Sequence, residues 1–185
     1  MRYLDAWLAL GARELLRSSD LLLNSTSDIP DFLFLIVCVG SGLLWINYLI
    51  LRRRGDNNEL SQFSLLAGSA LPLAYFLKGI FKYVFGRTNT RFWLENRVSD
   101  EFHWFHGGGN YGGFPSGHMA VFSAFFAAIW IFYPRYRAVS SGCLIALALA
   151  LVATDYHFLS DVIAGAYLGV AVTWLTRLYF EKIWW

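Results

Sequence analysis

Five apolar stretches, each close to the length of a membrane-spanning helix, constrain the fold of this 185-residue chain more than any other feature. They occupy residues 31–51, 62–85, 117–133, 138–156 and 159–180. A helix needs roughly 20 mostly apolar residues to cross a bilayer, and inside lipid the backbone must satisfy its own hydrogen bonds. We therefore predict an all-α fold, a polytopic membrane helical bundle that forms a single domain over residues 1–185.

Composition agrees with a membrane location and excludes other classes of protein. Hydrophobic residues make up 57% of the chain and charged residues only 15%, whereas a soluble domain is about 25% charged. The formal net charge is +2, and no long basic tract is present. Because nucleic-acid binding depends on clustered Lys and Arg, we expect the partners to be the lipid bilayer and a membrane lipid, and not nucleic acid.

The N-terminal segment mixes leucines with charged residues rather than forming a continuous apolar run. The residues concerned are Leu8, Arg13, Glu14, Leu15, Leu16, Arg17, Asp20 and Leu22. This pattern predicts an amphipathic helix that lies in the membrane interface, and the scattered charges argue against a cleavable signal peptide. A sixth spanning helix is the alternative, so we expect five or six transmembrane helices.

Loop charges predict how the bundle is oriented in the membrane. Basic residues follow the first, third and fifth spans, which end on one face: Arg52, Arg53, Arg54, Arg135, Arg137, Arg177 and Lys182. Loops rich in Lys and Arg favour the cytoplasm. The opposite face carries the polar segment 86–116 and the turn 155–161, with all four histidines in or beside them. We expect this face to lie toward the periplasm or cell exterior, in a bacterial inner or plasma membrane.

A candidate anion site stands where the third span begins. Ser116, Gly117 and His118 open that span, and the unpaired backbone amides at a helix start can bind an anion. Glycine allows close approach to the backbone. Lys82 and Arg87, near the end of the second span, would add full positive charges. The combination predicts a binding site for phosphate.

Two histidines and an aspartate supply candidate catalytic groups on the same face. His157 could attack phosphorus if one ring nitrogen carries a lone pair, and Asp161, four residues later, could hold the other nitrogen. His118 could then protonate the departing oxygen. Such a site would transfer a phosphoryl group without a metal or another cofactor.

Two short motifs carry a resemblance to a known family. FPSGH at 114–118 and H-x-x-x-D at 157–161, the latter followed by VIAGAYLG, resemble the second and third signature motifs of the type-2 phosphatidic acid phosphatase family. This family belongs to the phosphatidic acid phosphatase and haloperoxidase superfamily. The resemblance covers roughly residues 62–175 and implies an antiparallel helical bundle, commonly with six spans.

The resemblance also implies a role for each residue of these motifs. His157 would be the nucleophile, Asp161 its orienting partner and His118 the acid–base residue. Ser116 and the Gly117 amide would hold phosphate.

The chain departs from the family pattern at two positions that bind phosphate. The first motif has a lysine, six residues and Arg-Pro, but here Lys82 is followed by Asn89-Thr90. The third motif has an arginine six residues before its histidine, and that position is Leu151. We expect the catalytic motifs to fall within residues 78–161 and the phosphate ligands there to include replacements for these arginines. The candidates are Arg87, Arg91 and His106.

Three functions fit these observations. The first is an integral membrane lipid-phosphate phosphatase, a phosphoric ester hydrolase that forms a phosphohistidine. Its substrate would be phosphatidic acid, phosphatidylglycerol phosphate, a lipid A phosphate or an isoprenyl diphosphate. The second is a lipid phosphotransferase that uses the same site. The third is a metal-binding or transport protein built on the histidines, although no cysteine or second carboxylate near them supports metal coordination.

Overall fold

The computed structural model describes residues 2–16, 29–96, 98 and 101–183. In these residues the chain forms seven α-helices and no β-strand, which confirms the predicted all-α bundle. The helices are α1 (Arg2–Leu16), α2 (Ile29–Arg53), α3 (Glu59–Phe85), α4 (Thr90–Asn96), α5 (Gly117–Phe132), α6 (Arg137–Ala153) and α7 (Leu159–Ile183). Part of the predicted N-terminal amphipathic segment, including Arg17, Asp20 and Leu22, lies outside the described residues.

Within the described ranges, four helices are long and apolar enough to cross a membrane, and they correspond to four of the five predicted spans. These segments are Phe32–Arg53, Glu59–Phe85, Pro134–Ala153 and Leu159–Lys182. The remaining predicted span forms α5, which has 16 residues and is therefore about 24 Å long at 1.5 Å per residue. α5 is the central helix, because it packs against α3, α6 and α7. Its alanines Ala120, Ala124 and Ala128 are fully buried.

Glycines allow α7 to approach α5 closely. A Cβ atom on Gly169 would lie 2.2 Å from the Ala120 carbonyl oxygen, and one on Gly165 would lie 2.5 Å from the Ser116 carbonyl oxygen. Small residues four apart on a membrane helix allow this kind of contact. At the same end, the Ser116 N–H donates to the Asp161 carbonyl at 2.9 Å. The packing thus places the start of α5 beside the first turn of α7.

The polar segment after α3 folds back onto the end of that helix. Gly86 ends α3 in the left-handed conformation, with φ of 54°. Three backbone N–H groups of the following loop then donate to carbonyls near the end of α3: His103 to Gly86, Phe105 to Val84 and Gly107 to Tyr83. A Cβ atom on Gly86 would lie 2.0 Å from the His103 carbonyl oxygen, so only glycine fits this turn. Residues 102–107 of the segment therefore pack against the end of α3.

The described part of α1 packs on the bundle with its carboxylate inward. Leu4, Trp7 and Leu10 are exposed on its outer face, whereas Asp5 and Ala9 are buried. α1 contacts α6, α7 and α4. The helix is amphipathic, as predicted, but its charged Asp5 side chain lies between helices, where it can reach the first turn of α7.

Candidate active site

Two cavities at this end of the bundle share one wall. The first has a volume of about 430 Å³ and is lined by Leu33, Phe34, Tyr75, Lys78, Lys82, Gly117, His118, Tyr156 and His157. The second has a volume of about 620 Å³ and opens among α3, α4 and the loop before α5. Lys82, Tyr156 and His157 line both cavities. The predicted nucleophile therefore stands between an apolar-flanked cavity and a polar one.

The structure brings together the predicted histidine–aspartate pair. His157 Nδ1 lies 3.7 Å from Asp161 Oδ2, which is longer than a hydrogen bond, although such contacts are often long before substrate binds. The same Oδ2 accepts the Phe158 backbone N–H at 3.1 Å. Because Asp161 stands on the first turn of α7 and His157 just before it, the side of the imidazole that carries Nδ1 faces the carboxylate. This geometry makes Nε2 the candidate for attack, although the imidazole also makes a hydrogen bond to the Gly113 backbone.

The surroundings of His157 favour its neutral form. Burial lowers the pKa of His157 below its ordinary value, and the positive charge of Lys82 acts in the same direction. Asp161 opposes the shift. A neutral imidazole has a lone pair on one nitrogen, which a nucleophile needs.

The start of α5 and two lysines of α3 form a cationic corner of the first cavity. Ser116 caps α5, and its hydroxyl accepts the Met119 N–H at 3.4 Å. Lys82 Nζ donates to the Gly112 carbonyl at 2.5 Å. Lys78 passes over Gly117, where an added Cβ atom would lie 3.4 Å from Lys78 Nζ. The sequence prediction did not assign Lys78 to the site, but its spacing of one helical turn from Lys82 is the signal that could have done so.

The predicted phosphate ligands differ in where the structure places them. Arg91 lines the second cavity and donates from Nη2 to the Thr154 carbonyl at 3.2 Å. His106 is exposed, has its Nδ1 2.7 Å from the Trp104 carbonyl oxygen, and does not line either cavity. Arg87 is buried and is likewise absent from both linings. The assignment of phosphate to these three residues stays a prediction.

Arg87 instead contacts two carboxylates. Its Nη1 lies 2.6 Å from Asp161 Oδ1, and its Nη2 lies 3.0 Å from Asp5 Oδ2. Ser160 completes the group, because its hydroxyl accepts from Arg87 Nη1 at 2.6 Å. The sequence prediction missed Asp5 and Ser160. No local spacing indicates their roles, since Asp5 is 155 residues from Ser160.

The two departures from the family pattern have different surroundings. Asn89 lines the second cavity. Leu151 packs in an apolar cluster with Met119 and Val162, and its carbonyl oxygen lies 3.2 Å from the His157 backbone nitrogen that donates to it. Position 151 thus supports the turn before His157 through its backbone, while its side chain belongs to the core.

Comparison with known proteins agrees with the two motifs. The chain is similar to a lipid A 1-phosphatase of Rhizobium johnstonii, with 42% identity over 69 residues, which are 37% of this chain and 28% of that protein. A lipid A 1-phosphatase of Rhizobium etli is 41% identical over 69 residues, which are 37% of this chain and 30% of the relative. The chain therefore spans less than a third of the length of the curated relatives it matches. No solved structure matches it.

The family assignment depends on a longer match. A model of the PAP2 superfamily matches residues 63–185, which include both motifs, α5 and α7. The residues that form the cationic corner, the histidines and Asp161 all fall within that range. The chain belongs to the PAP2 superfamily.

Proposed function

We propose that this chain is an integral membrane lipid-phosphate phosphatase that works through a phosphohistidine and without a metal. One observation carries the proposal: His157 shares a cavity with His118, Gly117, Lys78 and Lys82. A nucleophile, a proton donor and anion-binding groups thus surround one space. The apolar residues Leu33 and Phe34 of α2 line the same cavity, which suits a lipid substrate.

The reaction would proceed in two steps. His157 Nε2 attacks phosphorus while its Nδ1–H faces Asp161, and the bond between phosphorus and the lipid oxygen breaks. His118 gives its proton to that oxygen, so the lipid alcohol leaves neutral. Water then attacks the phosphohistidine, His118 takes a proton from the water, and the phosphorus–nitrogen bond breaks to release phosphate. Lys78, Lys82 and the amide of Gly117 stabilise the charge on the phosphate oxygens.

The second cavity favours a substrate with a large polar headgroup. Its lining includes Asn89, Arg91, Glu95 and Asn110, together with the glycines of the loop before α5. A sugar offers hydroxyl groups to such a surface, and the two relatives are both named as lipid A 1-phosphatases. We therefore place lipid A 1-phosphate first among the candidate substrates. Phosphatidic acid, phosphatidylglycerol phosphate and isoprenyl diphosphate would leave more of this cavity unfilled.

The proposal is tested by phosphate release from a panel of these four lipids in detergent. We expect release from at least one lipid, with the largest kcat/KM for lipid A 1-phosphate, and none from a His157→Ala protein. Replacing Glu95 by Gln should change kcat/KM for lipid A 1-phosphate more than for phosphatidic acid, because Glu95 lines only the second cavity. No release from any lipid by folded protein would contradict the phosphatase assignment.

A lipid phosphotransferase is the second candidate function. The cavity of about 620 Å³ beside His157 has room for an acceptor other than water. If the phosphohistidine reacts with a lipid hydroxyl, labelled phosphate will appear on a second lipid instead of in solution. A reaction with water as the sole available acceptor separates the two functions, since only the phosphatase turns over.

A further inference from the structure

Four polar side chains form a closed network behind the catalytic histidine. Asp5 Oδ1 accepts the Ser160 N–H at 3.0 Å, and Asp5 Oδ2 accepts both the Ser160 hydroxyl and Arg87 Nη2. Arg87 Nη1 donates to Ser160 Oγ and to Asp161 Oδ1, each at 2.6 Å. The network joins α1, the segment after α3 and the first turn of α7. None of its four members lines either cavity.

The three charged members of this network are almost fully removed from solvent. Asp5, Arg87 and Asp161 are 2%, 4% and 0% exposed. A buried charge is costly unless it is paired and hydrogen-bonded, and here one guanidinium serves two carboxylates. The group therefore carries a formal charge of −1. That charge is carried by the carboxylates, one of which, Asp161, faces His157 Nδ1.

We propose that Asp5, on the N-terminal helix, is a positioning residue of the active site that acts on Asp161 through Arg87 and Ser160. Asp5 takes one side of the guanidinium, so Arg87 neutralises Asp161 only in part. The Asp161 carboxylate then keeps enough negative charge to hold His157 Nδ1–H and to stabilise the ring as it gains positive charge during attack. The inference rests on the proposed function, and it assigns Arg87 to Asp161 rather than to the substrate phosphate.

Asp5 lies outside the part of the chain that the superfamily model matches, which is residues 63–185. A purely structural role, in which Asp5 anchors α1 to α7, is the competing explanation. Anchoring would affect stability but would leave the titration of His157 unchanged. The two explanations therefore differ in their electrostatic consequence.

The direct test is Asp5→Asn, which keeps the shape of the side chain and removes its charge. Arg87 would then neutralise Asp161 more completely, and a protonated His157 would lose stabilisation. We expect the acid limb of the kcat/KM profile to move to lower pH. We also expect kcat to fall about tenfold or more with little change in KM, as for loss of a hydrogen bond to a charged group.

The other groups around His157 stay unchanged in this variant. They are Lys78 and Lys82 on α3, Arg91 on α4, His118 on α5, and the neighbouring Asp155 and Tyr156. Asp5→Glu should return the acid limb most of the way to its position in the parent protein, because glutamate restores the negative charge. Asp56→Asn is the matched control, since Asp56 is an exposed carboxylate between α2 and α3.

A double-mutant cycle separates this role from phosphate binding by Arg87. If Arg87 acts through Asp161, the Asp5→Asn and Arg87→Gln effects share one network, so the double variant should be no slower than Arg87→Gln alone. If Arg87 binds substrate phosphate, Arg87→Gln should raise KM and weaken orthovanadate inhibition, and the two effects should multiply. That second result would overturn the inference.

A measurement on the substrate-free protein keeps the inference distinct from the proposed function. The His157 ring resonances, followed by NMR against pH, should titrate at lower pH in Asp5→Asn than in the parent protein. Asp5→Ser, which removes the same charge with a smaller side chain, provides a second variant if Asp5→Asn does not fold. An unchanged His157 titration in these variants, with only a lower melting temperature, would reduce Asp5 to an anchor of α1. If the His157 titration shifts in Asp5→Asn but the parent protein releases no phosphate, the role of Asp5 stands and only the proposed phosphatase function is contradicted.

Discussion

At His157 the chemistry depends on which ring nitrogen keeps a lone pair. Nδ1 faces Asp161 at 3.7 Å, so in the proposed mechanism Nε2 attacks phosphorus. We expect His157→Ala to abolish phosphate release and Asp161→Asn to leave a small residual rate, since it disturbs only tautomer and orientation. His118→Ala should lose about 10²–10⁴-fold in kcat, the usual contribution of a general acid. Parent-level activity in folded His157→Ala protein would contradict the mechanism.

Charge neutralisation at this site is assigned to side chains and helix-start amides. Lys78 and Lys82 line the first cavity with Gly117, and among the described residues no three His, Cys, Asp or Glu side chains form a group that could hold a metal ion. We expect EDTA to leave phosphate release intact, and we expect orthovanadate, which adopts the five-coordinate geometry of phosphoryl transfer, to inhibit. Loss of activity in EDTA with recovery on adding Mg²⁺ would favour a metal-dependent enzyme.

Asp155, at the turn before His157, is buried, and burying its charged carboxylate lowers the stability of the folded protein. Its Oδ1 has no hydrogen-bond partner among the described residues, and burial raises its pKa from 3.8 to about 6, against the effect of Arg13 and Arg91. Between these values the folded protein holds a proton that the unfolded chain has released, so stability falls as pH rises through this range. The cost is fully present at pH 7.

We therefore expect Asp155→Asn to stabilise the protein at neutral pH. Asparagine has nearly the same shape and tolerates the left-handed backbone at this position, where φ is 54°. The apparent melting temperature in detergent should rise by about 2–4 °C at pH 7.5, the change that 1 kcal/mol gives in a chain of this size. The gain should disappear below pH 4. A lower melting temperature at pH 7.5 would show that attraction to the arginines outweighs the cost of burial.

The residues of the site were predictable from the sequence where the chemistry is local. His157 and Asp161 are four apart across a helix start, and Ser116, Gly117 and His118 are consecutive, so spacing alone predicts that each set lies together in the fold. Asp5 was not predictable, because its partners are 82 and 155 residues away. A single aspartate on an amphipathic helix carries no sign of the guanidinium that it meets after folding.

Among the elements, the contact between α5 and α7 determines how the two motifs meet. A Cβ atom on Gly169 would lie 2.2 Å from the Ala120 carbonyl oxygen and 2.7 Å from the Ala124 nitrogen. Gly169→Ala must therefore move α7 away from α5, and a small displacement of catalytic groups can cost about 10²-fold. We expect lower kcat and a lower melting temperature. Gly142→Ala on α6 is the control, since nothing lies within 4 Å of its added Cβ atom. Equal behaviour of the two variants would contradict this account of the packing.

Apolar periodicity predicted which elements form but not how α1 faces the bundle. Leucines and charges alternate on α1, which identifies an amphipathic helix whichever side packs. The structure exposes Leu4, Trp7 and Leu10 and buries Asp5, because Arg87 and Ser160 offer that carboxylate hydrogen bonds that a lipid interface lacks. α4 was likewise not predicted: its seven residues, Thr90–Asn96, are too few for a periodic pattern within a polar segment.

For the molecule as a whole, the orientation in the membrane depends on how two groups of basic residues are interpreted. Arg52 and Arg53 end α2 and Arg54 follows it, on the face opposite the site, so these arginines have no part in the site. At the site face, Lys78 and Lys82 line the first cavity and Arg91 lines the second. Arg87 pairs with Asp161, and Arg97 lies outside the described residues. The charges at the site face thus have local roles, so the triple arginine is the better indicator of the cytoplasmic side.

Two exposed asparagines at opposite ends of α3 test this orientation. Asn110 lies in the loop before α5, and its side chain is exposed. Its backbone carbonyl accepts the Asn89 N–H, and a cysteine at position 110 preserves this backbone hydrogen bond. Asn57 precedes Asn58, the residue that caps α3, so replacing Asn57 by cysteine leaves the cap intact. After removal of the exposed thiols Cys38 and Cys143, an impermeant thiol reagent should label Asn110→Cys in intact cells and Asn57→Cys only after permeabilisation. Because α3 separates the two positions, the reverse pattern would place the site, and its lipid substrate, on the cytoplasmic leaflet.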